Sequence, residues 1–141
     1  REKGLWYKWK RDPLYADLVI MYAQRGHGKR SSYYSDFTLG AWQGYAADIV
    51  LVPVCKAYSG FTDSELSKLD KFVRENTINR YGPVREVDQA LVVEVAFDSL
   101  HLSSRHKSGI ATRFPRFHAI RWDKNADDAD HVDQLKKMID L

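Results

Sequence analysis

The chain is poor in residues that staple small folds: among 141 residues it has one cysteine, Cys55. A lone thiol closes no internal disulfide, and no cysteine or histidine pair has zinc-site spacing, so a disulfide scaffold and a zinc module are excluded. Cys55 adjoins the apolar run 50–54 and is expected in the core. Long hydrophobic runs are missing too. None approaches the roughly 20 apolar residues of a membrane-spanning helix, and the charged N-terminus is unlike a signal peptide. Internal repeats and low-complexity linkers are absent as well. What is present is a globular composition, 44% apolar, 13% aromatic and 29% charged. That length suits one domain able to bury a core unaided. A reducing, cytoplasmic setting and a monomer are the expectation. The abrupt start at Arg1, inside a dense basic and aromatic segment, is that of an excised domain.

The net charge of +3 is modest, but its distribution says more. Basic residues gather in 8–11, 25–30 and 105–124, where Asp123 is the only acid, while Asp127, Asp128, Asp130 and Asp133 follow. Folding could bring the basic segments into one stripe for a polyanion.

Periodicity gives the elements. Residues 14–24 read as a strand ending in the basic turn 25–30; 31–43 and 48–56 read as two more, with Gln43-Gly44 as the turn between them. Thr62 and Glu65 have capping-box spacing, flanked by Phe61 and Leu66 as a hydrophobic staple. The helix they start carries Leu66, Leu69, Phe72 and Val73 at helical spacing and is expected to end near Asn76. Strand candidates follow at 86–102 and at 109–122, the latter broken by Pro115. Residues 127–141, with Val132, Leu135, Met138 and Ile139, read as a terminal helix. The expected fold is mainly β: a five-stranded Greek-key oligonucleotide-binding (OB) barrel with a helix between strands 3 and 4 and a C-terminal helix.

Two constellations carry chemistry. Lys8-Trp9-Lys10 in a strand would put both ammonium groups on one face about 7 Å apart, suited to a phosphate chain; alternating lysines also protect exposed strand edges. The second is Arg113-Phe114-Pro115-Arg116-Phe117 followed by Arg121-Trp122-Asp123-Lys124. Together, in this order, they resemble the ATP-dependent DNA ligases, which open their barrel domain after K-x-K and end it with R-F-P-R-F and then R-x-D-K (nucleotidyltransferase motifs V and VI). Val54-Cys55-Lys56, Ser59 to Asp63, Leu66 and Val93-Glu94-Val95 also resemble family segments, so the likeness runs from about Trp6 to Lys124. The stretch 17–42 looks more like bacterial members.

The resemblance implies three steps: a lysine takes AMP from ATP, passes it to the 5′-phosphate of a nick in duplex DNA, and the 3′-hydroxyl displaces it. Positioning and neutralising phosphate oxygens is then the protein's work. It implies that Lys8 and Lys10 line the nucleotide pocket, and that Arg121, Asp123 and Lys124 orient the β- and γ-phosphates of ATP, Asp123 by ordering its cationic neighbours. Arg113 and Arg116 would grip DNA, with Phe114 pressed into the minor groove. Arg25, Lys29 and Arg30 could reach the DNA backbone, though a solvated turn explains them equally well. Phe114 is open between a wedge and a core ring; Phe117 is favoured as core. Arg121 to Lys124 could also be a plain solvated strand end.

Departures matter. There is no K-x-D-G, the motif of the adenylated lysine; Lys68-Leu69-Asp70-Lys71 lacks its glycine and lies in the expected helix. ATP and Mg2+ are therefore expected mainly in an adenylation domain of the same protein, and the fragment is expected to be inactive alone. Residues 1–12 read as the end of that domain with a hinge at Arg11-Asp12-Pro13, and 13–141 as the OB domain. Trp122 is bulkier than the polar residues expected at its position. No histidine suggests a site, and no metal ligands are assigned. Rivals are the OB domain of an RNA-capping or RNA-ligase enzyme, disfavoured by R-F-P-R-F, and a non-catalytic single-strand-binding module.

Overall fold

A computed structural model describes residues 13–25, 34–57, 60–105 and 108–139. Nine strands and two helices are laid out among them: β1 (Leu14–Arg25), β2 (Tyr34–Gln43), β3 (Val50–Ala57), α1 (Asp63–Asn76), β4 (Thr77–Tyr81), β5 (Val84–Val87), β6 (Val92–Phe97), β7 (Ser99–Leu102), β8 (Ile110–Arg113), β9 (Arg116–Arg121) and α2 (Val132–Met138). The three strands before the helix stand where composition and the Gln43-Gly44 turn placed them, while the basic turn at 26–30 lies outside the described residues. The two expected after it are subdivided. Residues 86–102 break at Asp88–Leu91 and again at Asp98, and 109–122 breaks at Phe114-Pro115, so each long candidate supplies both a sheet strand and a piece of a hairpin.

The sheet runs β3-β2-β1, and beyond β1 its partners divide. Leu14 to Val19 pair with β6, while Tyr22 to Gln24 pair with β5. At the division the Ile20 N–H donates to the Leu91 carbonyl at 3.1 Å. β6 then pairs with β9. All pairings are antiparallel, and the curled sheet forms a half-barrel whose outer strands β3 and β9 are not paired with each other. Side chains close the gap. The Phe61 ring stacks on Phe117 at 4.5 Å and tilts against Phe37 at 5.5 Å. Each buried ring contributes about 1.5–3 kcal/mol.

Helix α1 begins where the capping box requires. The Glu65 N–H donates to Thr62 Oγ1 at 3.2 Å and the Thr62 N–H donates to Glu65 Oε1 at 3.0 Å. Leu66, Leu69 and Val73 are buried on its inner face. Thr77 adopts extended dihedrals and its hydroxyl donates to the Val73 carbonyl, so the helix passes directly into β4. Helix α2 is shorter than expected and is capped by His131, whose Nδ1 accepts from the Asp133 N–H at 3.0 Å. Its Val132 and Leu135 enter the main core. Before it, residues 125–131 cross the outer face of the sheet, where Ala129 joins Val19, Met21, Leu51 and Val92 in a second apolar cluster.

Two predictions follow from the packing. At Gly60 (φ +93°) an added Cβ would lie 2.3 Å from the Phe117 carbonyl oxygen, whereas at Gly82 (φ +60°) it would meet nothing within 4 Å. Gly82→Ala is expected to cost about 1 kcal/mol from the left-handed backbone alone, and Gly60→Ala about 3 kcal/mol or more, because strain and overpacking add. Urea unfolding of both variants would measure the difference. Cys55 is packed against the core but only partly buried, short of the full burial expected; desolvation still pushes its thiol up to about 12, which leaves almost no thiolate at neutral pH. A disulfide reagent at pH 7 is therefore expected to label Cys55 slowly in the native chain and quickly in urea; equal rates would show the thiol open.

Candidate phosphate and nucleic-acid interface

Strand β9 ends in Arg121, and the turn after it returns Asp123 and Lys124 to the sheet's outer face. The Arg121 guanidinium is engaged on two edges. Nε and Nη2 each donate to the Asp123 carboxylate at 3.2 Å, while Nη1 lies 3.4 Å from Asp17 Oδ1 and 3.7 Å from Glu94 Oε2. Lys124 Nζ meets Asp17 Oδ2 at 2.5 Å. The Asp123 hydrogen bond raises the Arg121 pKa, and Arg121 in turn holds the Asp123 carboxyl below the usual range. Asp17 likewise raises the Lys124 pKa. Both cations are thus fully charged, Arg121 paired with Asp123 and Lys124 with Asp17.

Asp17 sits on the outer face of β1, next to Val19, and is 9% exposed. Its main chain is locked by Asp130: the Asp17 N–H donates to Asp130 Oδ2 and the Asp130 N–H donates to the Asp17 carbonyl, both at 2.9 Å. The Asp130 carbonyl also accepts from the Trp42 N–H, and the Trp42 indole N–H donates to the Ala126 carbonyl at 2.8 Å. Burial pushes the Asp130 carboxyl up. Sequence reasoning missed Asp17 as a site residue. Its one signal was a carboxylate between Ala16 and Leu18, inside an otherwise apolar strand.

The R-F-P-R-F segment forms the tight passage from β8 to β9. Phe114 takes a left-handed backbone (φ 52°) and leaves its ring 64% exposed. Such a conformation costs about 1–2 kcal/mol for a residue with a Cβ. Arg116 Nη1 donates to the Phe114 carbonyl at 2.9 Å and to Asp98 Oδ1 at 3.2 Å, and the Arg113 guanidinium lies 5.6 Å from the Phe114 ring. Phe117, by contrast, faces inward and is buried. Phe114, left open by the sequence, is therefore outside, and Phe117 is inside as favoured.

Arg25 stands at the opposite end of β1 from this segment, its guanidinium 4.7 Å above the Tyr34 ring. From Asp17 to Arg25 the chain advances roughly 25 Å at about 3.3 Å per strand residue, so Arg25 does not join the Arg121 cluster. Lys8, Lys10, Lys29 and Arg30 lie outside the described residues. Trp122 is exposed and turns toward α1, where it lines a shallow groove of about 260 Å³ with Lys68, Lys71, Phe72 and Glu75. Its bulk therefore sits away from the neighbouring cations.

Residues 30–124 match the family described as ATP dependent DNA ligase C terminal region. The chain is 39% identical over 133 residues to a probable DNA ligase of Koribacter versatilis, covering 94% of this chain and 22% of that protein. It is 41% identical over 137 residues to a probable DNA ligase of Opitutus terrae, covering 96% and 13% respectively. The chain thus spans a minor part of these relatives. In fold it is similar to the ligase domain from M. tuberculosis LigD, with a TM-score of 0.66 at 19% identity, over 83% of this chain and 38% of that one. With the matched region taking in both the R-F-P-R-F segment and the Arg121–Lys124 cluster, the chain belongs to the ATP-dependent DNA ligase family as its C-terminal region.

Proposed function

We propose that this chain serves as the C-terminal OB part of an ATP-dependent DNA ligase that seals nicks in duplex DNA through enzyme–AMP and DNA–adenylate intermediates. The carrying observation is the pair of charged cations, Arg121 and Lys124, held side by side on one buried carboxylate at the outer face of the sheet. Two fixed cations can take adjacent phosphates of a triphosphate and stabilise charge growing on departing pyrophosphate. In this reading Asp123 orders Arg121, Lys8 and Lys10 contact the α-phosphate, and the hinge at Arg11-Asp12-Pro13 brings the barrel to ATP and then swings it away. Arg113 and Arg116, with Arg25, Lys29 and Arg30 farther along, grip the DNA backbone. Phe114, exposed and backed by Arg113, is the wedge in the minor groove.

The nucleophilic lysine belongs to an adenylation domain of the same protein, so this chain alone carries out no transfer. Magnesium, when bound, neutralises phosphate oxygens. Among the described residues no three His, Cys, Asp or Glu side chains converge to hold a metal ion, and no step on this chain is routed through it. Among the described residues no helix is long and apolar enough to cross a membrane. Separately, the parent enzyme is read as a cytoplasmic monomer, associated with the nucleoid if it is bacterial.

Two outcomes test this. In the full-length ligase carrying this chain, Arg121→Ala or Lys124→Ala is expected to slow self-adenylation by about 10², with sealing of a pre-adenylated nick much less affected; the reverse pattern sinks the reading. Phe114→Ala, at an exposed ring, is expected to change stability by less than about 0.5 kcal/mol. It should leave self-adenylation intact and weaken nick sealing about tenfold, read by gel assay; an equal loss in both steps would count against a wedge.

A further inference from the structure

Asp17 does two separable jobs. Its main chain holds the fold together: it pairs with Glu94 across β1 and β6 and exchanges hydrogen bonds with Asp130. Its carboxylate does something else. Both side-chain hydrogen bonds it makes go to Arg121 and Lys124. A carboxylate this buried is costly unless it is paired, and an apolar residue beside Val19 would suit the packing at no such cost.

Of the three carboxylates around Arg121, Asp123 and Asp17 differ in a telling way, and Glu94 lies farther off at 3.7 Å. The Asp123 side chain is 69% exposed, and the Asp17 side chain 12%. An exposed ion pair is weak and yields readily to a competing anion, whereas a buried one fixed to the central strand does not. Lys124 has three N–H donors and makes its ion pair with Asp17. Its side chain is 31% exposed, so donors remain for a ligand from the solvent side.

We propose that Asp17 is a positioning residue for self-adenylation: it anchors Arg121 and Lys124 from behind while phosphate oxygens displace Asp123 from the outer edge of Arg121. This rests on the reading of Arg121 and Lys124 as phosphate-orienting cations. The anchored cations meet the leaving pyrophosphate already in place, so the benefit falls in the transition state and appears in kcat rather than in KM. The sealing step, which has no β- or γ-phosphate, does not draw on it.

The test is a double-mutant cycle in the full-length ligase, with single-turnover self-adenylation and sealing of a pre-adenylated nick measured in parallel. Asp17→Asn keeps the shape and removes the charge. It is expected to lower kcat for self-adenylation about tenfold with KM for ATP changed less than about threefold, and to leave sealing within about threefold. In a Lys124→Ala background the same substitution is expected to cost less than about threefold, because most of its effect runs through that ammonium at 2.5 Å and only the longer 3.4 Å contact to Arg121 remains. A full tenfold loss in both backgrounds, an equal loss in sealing, or wild-type adenylation by Asp17→Asn overturns the proposal. If Lys124→Ala alone spares self-adenylation, the underlying reading fails instead. Should Asp17→Asn not fold, as judged by its thermal melt, Asp17→Glu retains the charge displaced by one methylene. It should slow adenylation and spare sealing; equal slowing of both steps overturns the proposal by that route.

Discussion

Every other element depends on how β1 is shared. One edge is taken by β2 along Val19 to Arg25, and the other is divided between β6 and β5, so a single strand of twelve residues anchors three partners. That division forces the sheet to curl, because β6 and β5 leave β1 in different directions and each carries its own onward pairing. The inner face of the curl collects Leu18, Ile20, Phe37, Leu39, Val93 and Phe97 around α1. From Val19 onward main-chain pairing is thereby supplied on both edges of β1, and nearer its start Asp130 ties the free edge at Asp17; the outer face of the strand is left to hold whatever side chains the site requires.

What it holds is a charge balance that leans negative. Asp17, Glu94, Asp123 and Asp130 lie around Arg121 and Lys124, so carboxylates outnumber the two motif cations. Such an arrangement suits cations that must be presented in a defined geometry and then released. Were Arg121 and Lys124 bare, the turn after β9 would have no counter-charge to order it. Ion pairing here trades the freedom of the two cations for a fixed orientation.

Much of the fold was legible from sequence because local rules sufficed. Thr62 and Glu65 located the start of α1 to the residue and Gly44 ended β2, while R-F-P-R-F followed by R-x-D-K pointed to the family by resemblance. The parts that were not legible depend on long-range pairing. Nothing local to 86–102 says that Asp88–Leu91 must cross from one partner of β1's edge to another, or that Asp98 must turn to receive Arg116. Phe114 and Phe117 are alike in sequence, and only the left-handed backbone at Phe114 separates the exposed ring from the buried one. Asp17 stayed hidden because its partners are more than a hundred residues away.

The segment 125–131 shows that the structural unit outruns its recognisable signature. It lies beyond the matched region, as β1 lies wholly before it, yet Ala129 covers Val19 and Val92, and Trp42 is hydrogen-bonded to Ala126 and Asp130. The recognisable signature is therefore smaller than the object that must fold. A boundary drawn at the signature would remove the centre of the sheet on one side and uncover apolar surface on the other. Grafting this module between enzymes would need the flanking residues carried along with the motifs.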